Sequence, residues 1–319
     1  MKRLFSPRAG LIALLGGLPA WCMAASIGTV TITEGEAQLV RLAQRHAVVE
    51  GLRVQDEDIV RTGSQTRLLR LELADGTALD LGPDTELMLQ PRAGGRFGER
   101  AATLYLARGW LKVSTGRDAV AGIASATSDL RQLSGTAVLR VAPGASLVFV
   151  ESGQASVAEP QATQEVALAD GDAVVRRGRD AASIARRPPA DLLQGLPRAF
   201  ADSLPRRAAR FQARPSEPDA GEPVTYADVA PWIDGEPALR TLALARFAAR
   251  ATDRAFRAAL VAGLRSHPEW DRTLFPEKYR PKPVVVVQRT EAKPVSLDGV
   301  MTWPVDHTAA REDKTETMR

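Results

Sequence analysis

Leu69-Arg70-Leu71-Glu72-Leu73-Ala74-Asp75-Gly76-Thr77-Ala78-Leu79-Asp80-Leu81 sets the architecture expected of this chain. Leucine at every second position, with charge between, is the period of a strand that buries one face. Asp75-Gly76 breaks the alternation where a hairpin must reverse. The pair suits a tight type I′ turn, whose two central residues need positive φ. Leu79 and Leu81 then carry the return strand to Gly82-Pro83.

The same period recurs on either side, through residues 26–175. Ile27-Gly-Thr-Val-Thr-Ile-Thr33 alternates and stops at Glu34-Gly35. Further strands are expected at Thr103–Leu106, Trp110–Val113, Ala137–Val141, Ser146–Val150, Ala155–Ala158, Glu165–Leu168 and Ala173–Val175, with Gly, Asp or Pro in most gaps. Many short strands with no helical pattern between them make a mainly β domain: a barrel, a sandwich or a β-helical stack. There is also an internal echo. Glu34-Gly-Glu-Ala-Gln-Leu-Val40 leads to Val48-Val-Glu-Gly-Leu-Arg-Val-Gln-Asp56, as Glu151-Ser-Gly-Gln-Ala-Ser-Val157 leads to Val166-Ala-Leu-Ala-Asp-Gly-Asp172, which suggests two stacked β units.

The whole chain has 319 residues, 45% hydrophobic and 25% charged, which is a globular composition with room for two domains and tails. One cysteine and three histidines exclude disulfide scaffolds and cysteine-rich zinc modules. Lys2, Arg3 and Arg8 precede a short apolar run from Leu11 to Leu18 and small residues at Ala24 and Ala25. That is the pattern of a cleavable secretory signal, too short to span a bilayer. Cys22 raises a lipoprotein alternative, but Trp21 stands where a lipidation signal needs a small residue. Cleavage after Ala24 or Ala25 would leave a mature chain without cysteine. Arginine far outnumbers lysine, which suggests a GC-rich bacterial genome and a periplasmic address.

Ten arginines lie between Arg176 and Arg214 against Asp180, Asp191 and Asp202, a net charge of +7. Prolines punctuate this segment, and Leu196, Phe200 and Leu204 fall on one helical face. It reads as a basic connector. Its sharper reading is a contact surface for an acidic partner or an anionic lipid or glycan, carried by Arg206, Arg207 and Arg210. From Tyr226 to Tyr279 the period becomes helical. Pro237 opens one helix with Leu239, Ala243 and Phe247 on one side; Thr252-Asp253 caps another with Phe256, Leu260 and Leu264. Trp232, Trp270, Phe275 and Tyr279 are expected as aromatic anchors. Beyond Arg280 a valine run at 284–287 could add an edge strand, before a flexible end.

Several blocks resemble the FecR domain. They are Gly35-x-Ala37-x-Leu39-x-Arg41, Gly51, Asp58-Ile-Val-Arg-Thr-Gly63 and Leu71-x-Leu73-Ala-Asp-Gly-Thr77, followed in order by Leu106-Ala-Arg-Gly-Trp110, Gly135-Thr136, Val148-Phe-Val-Glu-Ser-Gly153 and Val166-Ala-Leu-Ala-Asp-Gly171. The resemblance covers residues 26–175 and implies a β-rich, non-enzymatic periplasmic module. Family members that regulate iron transport place a sigma-factor-binding segment and a membrane helix before this domain. Here a cleavable signal stands in that place. An exported chain cannot meet a cytoplasmic sigma factor, so only the sensing or docking half of the function is expected.

Catalytic and metal patterns are sparse. His46, His267 and His307 have no ligand spacing, no serine sits in a G-x-S-x-G elbow, and Asp56, Asp58, Asp75, Asp80 and Asp84 read as turn acids. Gly94-Gly95-Arg-Phe-Gly98 reads as a hairpin loop, not a phosphate cradle, because no helix follows. No enzyme activity, cofactor or metal is expected. The chain should comprise a signal peptide (1–25), a FecR-like β domain (26–175), a basic Arg/Pro-rich linker (176–222), a small α-helical subdomain (223–280) and a flexible tail (281–319). Its expected role is sensing or scaffolding through a periplasmic or outer-membrane protein, with no nucleic acid partner. The alternative is a peptidoglycan- or glycan-binding envelope module, for which Tyr105 and Trp110 are the β-domain aromatics available as a shelf.

Overall fold

The computed structural model describes residues 25–91, 103–160, 164–178, 180, 182–188 and 190–281. The stretch before Ala25 that reads as an export signal, the Gly94–Gly98 segment, His307 and the residues from 282 onward lie outside these.

Period-two patterning yields the strands in chain order: β1 (Ser26–Glu34), β2 (Ala37–Arg41), β3 (Gln44–Ala47), β4 (Arg53–Gln55), β5 (Ile59–Thr62), β6 (Leu68–Leu73), β7 (Ala78–Leu81), β8 (Glu86–Leu89), β9 (Leu104–Ser114), β10 (Ala121–Ala124), β11 (Asp129–Ala142), β12 (Ala145–Ala158), β13 (Glu165–Leu168), β14 (Ala173–Arg177), β15 (Ser183–Ala185) and β16 (Glu222–Pro223). Five α-helices follow among the described residues: α1 (Ala190–Gly195), α2 (Tyr226–Ile233), α3 (Pro237–Phe247), α4 (Arg254–Ala262) and α5 (Asp271–Leu274). The protein is mainly β with a small helical part.

All sixteen strands belong to one hydrogen-bonded sheet, and that sheet is folded into two layers. The first layer runs β4-β1-β6-β7-β9-β11-β12-β14-β15. The second runs β16-β3-β2-β5-β8-β9-β10-β11-β12-β13. β9, β11 and β12 appear in both. Their halves pair in different layers: residues 104–108 of β9 pair with β8, and residues 109–114 with β7 and β11.

Each shared strand turns its corner at a glycine with positive φ: Gly109 (+96°), Gly135 (+133°) and Gly153 (+90°). Gly135 and Gly153 are paired across β11 and β12. A Cβ on Gly135 would sit 2.1 Å from the Ser152 carbonyl oxygen, and one on Gly153 would sit 2.0 Å from that of Ser134. Only two glycines let these backbones cross so closely.

Alternation then sorts side chains with little exception. Leu69, Leu71, Leu79, Leu81, Leu111 and Val113 of the first layer meet Leu39, Val60, Leu87, Leu89, Leu104 and Leu106 of the second in the central core. The outer faces are apolar too. Val40, Ile59, Met88, Tyr105 and Ala124 of the second layer form a further core with Trp232, Leu239, Phe247, Phe256, Leu260 and Trp270 of the helices. Ile32, Leu68, Trp110, Val138 and Leu147 of the first layer are covered by Phe200. The helical part is thus packed on the sheet, which supplies five of the buried residues of that core.

Local chemistry holds the helices in place. Asp253 accepts the Phe256 amide proton at 2.9 Å and starts α4, and Pro237 takes the first turn of α3, as the sequence indicates. α2, which contains Pro231, is an additional helix. The Arg246 guanidinium donates to the carbonyls of Val40, Leu42 and Glu57, pinning α3 to two turns of the second layer. Burial lowers its pKa. Fully buried His267 spans Asp234 Oδ1 at 2.8 Å and the Leu260 carbonyl at 3.0 Å, so its role is to tie two helix ends together.

Three local readings differ from the sequence expectation. The Asp75-Gly76 hairpin pairs Leu73 with Thr77 around a three-residue loop, where only Gly76 has positive φ (+83°). Asp75 accepts the Thr77 amide proton and holds that loop without a type I′ turn. Ser146–Val150 and Ala155–Ala158 are one strand, because Glu151-Ser152-Gly153 bends β12 instead of ending it. The internal echo therefore has no structural counterpart: Gly35 lies in a turn between two strands, Gly153 inside one.

Gly135→Ala should lower the free energy of unfolding by about 3 kcal/mol or more, read in urea. Gly144→Ala is the control. Its φ is +69°, but an added Cβ meets nothing within 4 Å, so a loss of about 1 kcal/mol is expected.

Candidate interaction surface

The basic segment is a strap. After α1 it lies across the outer face of the first layer, with Pro197 against Gly82 and Gly195 against Trp110. Fully buried Phe200 is its anchor, flanked by half-buried Leu196, Ala199 and Leu204. The three apolar residues read from the sequence do share a face. They do so without a common helix: only Phe200 lies in a 3-10 turn (Arg198–Ala201), and Pro197 and Pro205 bracket it. Farther on, Phe211 and Ser216 reach Gly51, and the Arg53 amide donates to the Ser216 carbonyl, closing the strap on the β4 edge.

Beneath the strap lies an enclosed charged face: Arg70 and Glu72, the polar positions between the leucines, and Asp80, which was expected to be a turn acid but lies inside β7. Arg70, Glu72 and Asp80 are each at most 5% exposed, fewer than surface charges normally allow. Glu72 accepts from the Thr31 hydroxyl and from the backbone amides of Arg207 and Ala208. Lys112 donates to the Phe200 carbonyl at 2.6 Å and pairs with Glu151 at 2.8 Å. Arg70 sits opposite Asp80 in the hairpin register, Nε to Oδ1 3.5 Å, but its Nε and Nη1 make no hydrogen bond. Burial pushes the Asp80 pKa up, against the pull of Arg70, Lys112 and Arg206. The three-residue loop Ala74-Asp75-Gly76 sets Arg70 opposite Asp80, whereas the two-residue turn expected from the sequence would have set Leu71 there.

The three arginines singled out from the sequence stand around this strap. Arg206 is exposed and donates to the Ser114 carbonyl at 3.3 Å. Arg210 is exposed. Arg207 is half-buried, with its Nε enclosed and its backbone amide on Glu72. Arg206 and Arg210 are therefore available to solvent, while Arg207 belongs to the strap's seating.

A cleft of about 380 Å³ opens at the end of the sandwich, between residues of β12, β13, β14 and β15. Val148, Val157, Val166, Val174 and Ile184 form its apolar walls; Thr127, Ser128, Ser146, Glu159, Gln164 and Arg176 give it polar edges. Arg176 donates from Nη1 to the Thr127 carbonyl at 2.7 Å, and its enclosed Nε has no partner. β13 and β15 are the outermost strands of their layers at this end. β13 was read from the sequence; β15 was not, because Ser183–Ala185 falls in the stretch expected to be linker, so the sheet runs past residue 175. The cleft was not read either, because it depends on how far apart two layers stand.

The remaining candidates have structural roles. Asp58 is buried and takes a two-pronged contact from Arg41, at 2.9 and 2.7 Å. His46 faces the Asp219 carbonyl. Asp228 joins α2 to the second layer through Arg61, which also binds Glu86. Burial alone would raise Asp228, but the Thr225 amide and hydroxyl and the Arg61 guanidinium outweigh it and hold its pKa low. Tyr105 packs edge-on to Trp232 at 5.9 Å, and Trp110 lies beneath Arg140 at 4.8 Å; both rings are buried, so neither can form a glycan shelf. Among the described residues no group of three or more His, Cys, Asp or Glu side chains is placed to hold a metal. No helix among them is long and apolar enough to cross a membrane.

No protein-family model matches the chain. No curated protein matches it. Among solved structures, two crystal structures of a proposed anti-sigma factor from Parabacteroides distasonis are similar to it, at 14% identity and a TM-score of 0.35. The likeness covers 43% of this chain and 64% or 65% of those, so this chain spans just under two thirds of their length.

Phe200→Ala should remove about 3–5 kcal/mol of stability, and trypsin should then cut first after Arg206, Arg207 or Arg210 while the sandwich stays resistant. A second test uses pH. An acid whose pKa is raised by folding holds its proton longer in the folded state, so stability falls as pH rises from the usual aspartate value through the raised one. Asp80→Asn cannot titrate, and its stability relative to wild type should therefore climb across that window in a pH series of urea unfolding. A flat difference would show that Asp80 titrates normally.

Proposed function

We propose that this chain is an exported, non-enzymatic FecR-like module of the periplasm that senses or scaffolds by binding another protein. The observation that carries this reading is the open end of the sandwich, where two sheet edges flank an apolar-walled cleft. Unpaired strand edges are the usual acceptors of a partner's extended segment. The ordered Asp58–Gly63, Leu71–Thr77 and Val148–Gly153 blocks support the family, and the basic head and apolar run before Ala24 support export.

The strap arginines suit the same role. Exposed Arg206 and Arg210 would steer an acidic partner toward the first layer and raise its on-rate, with less effect on final affinity.

A photo-crosslinking amino acid placed at Arg210 in cells should give one dominant protein adduct, identified by mass spectrometry. Adding Arg206→Glu to that protein, which leaves the Arg207 contact with Glu72 in place, should remove at least half of that adduct. Adducts confined to glycan or lipid would replace this reading with an envelope-binding one.

A further inference from the structure

Within that reading, we infer that β15 is an acceptor edge for an extended segment of a partner protein, with a branched aliphatic side chain opposite Ile184 and an acidic one two positions along, toward Arg176. The argument begins with register. Val148 pairs with Val174, and Val174 pairs with Ile184, so three branched aliphatic residues form one cross-strand row on the inner face of the first layer. The row ends at Ile184, which is 55% exposed on the outermost strand. Rows of this kind are stabilised residue by residue through their cross-strand neighbours. A further strand on β15 would place its aliphatic residue beside Ile184 and above the cleft, in contact with Val157 and Val166 of the other layer.

The neighbouring row supplies the polar half of the code. Ser146 pairs with Arg176, and the same register sets the small, exposed Ala182 beyond it. An incoming side chain there meets no bulk from β15 and lies toward the Arg176 guanidinium. The acids on this rim are already engaged. Glu159 lies 3.8 Å from Arg176. Glu165 takes a hydrogen bond from Ser156 and another from Arg131, which hold its pKa low. Arg186 and Arg187, exposed just past β15, form no ion pair among the described residues. The rim is therefore set for negative charge. An acyl chain would fill the apolar walls but leave the amides and carbonyls of the β15 edge without partners; a strand pairs with them.

The test is fluorescence anisotropy with a labelled synthetic peptide of alternating valine and serine, closed at each end by glutamate. Saturable binding is expected, weakened roughly tenfold by Ile184→Glu, a substitution at an exposed site that should leave thermal unfolding unchanged. Val261→Glu, on an exposed position of α4, should bind as wild type does. A peptide of the same composition with its valines consecutive, or with lysine for glutamate, should bind more weakly. Absence of binding, equal binding by the consecutive-valine peptide, or unchanged binding by Ile184→Glu would overturn the proposal. Preferential, Ile184-dependent binding of phosphatidylglycerol vesicles would overturn it in favour of lipid. A protein adduct at Arg210 alongside failure of this peptide would reject the β15 site and leave the interaction-module reading standing; loss of both would reject both.

Discussion

Three strands are too long for the layers they serve. β11 and β12 each have 14 residues, about 46 Å if straight, whereas most of their neighbours have four to six. A straight ribbon would project into water with its backbone unpaired. Bending at Gly109, Gly135 and Gly153 instead gives each half its own layer. The two layers then share covalent strands, so they cannot slide or separate without breaking the corner where β11 crosses β12. The crossing residues, Gly135 and Gly153, carry no side chain, and their tight backbone approach holds together the layers whose interior Leu69, Leu79, Leu111, Val60, Leu87 and Leu106 fill.

A second requirement follows, because both layers are apolar outside as well as inside. Sheets of that kind need cover on two faces, and the chain after β15 provides it. The strap covers the first layer through Phe200, rounds the β4 edge, adds β16 beside β3, and then lays its helices on Val40, Ile59, Met88 and Tyr105. Such short helices would not hold their form alone; the sheet face gives them a core. This also explains why an arginine-rich segment is ordered. Its path follows the apolar anchors, and its cations fall on the side that remains wet. Seating the strap encloses Arg70, Glu72 and Asp80. Backbone amides of the strap compensate Glu72, while the enclosed Arg70 and Asp80 are only partly compensated.

What was legible in the sequence was whatever depends on neighbours a few residues away. The Leu69–Leu81 hairpin, the Asp253 cap, and the rows Leu239-Ala243-Phe247 and Phe256-Leu260 all emerge from local periodicity. The errors share a cause. Glycine after Glu151-Ser152 looks like a turn, but its neighbour across the sheet is also glycine, and that distant fact makes it a bend. Arg70 looks like the polar side of a half-buried strand and Asp80 like a turn acid until a segment more than a hundred residues later is laid over them. The candidate site was legible only as components. Arg206 and Arg210 were named, and so were strands β13 and β14, but β15 lay in the stretch read as linker, and the cleft between those strands arises from the separation of two layers.

The cover also stops at a definite place. Between β15 and Leu196 the described chain offers few apolar side chains to seal the end of the sandwich, and Ile184 stays half in water. Among the described residues Tyr105, Trp110, Trp232 and Trp270 are all enclosed, while Leu42, Val120 and Leu193 are, like Ile184, more than half exposed. At the open end valines from both layers line a void that a closed sandwich would have filled, and lining atoms without neighbours forgo dispersion contacts. Arg176 is enclosed there with one nitrogen unbonded. A chain that satisfies its faces so fully and leaves one end unfinished has stability that another segment can still supply. That is the energetic condition for a strand edge to act as a binding site instead of merely as the place where a sheet stops.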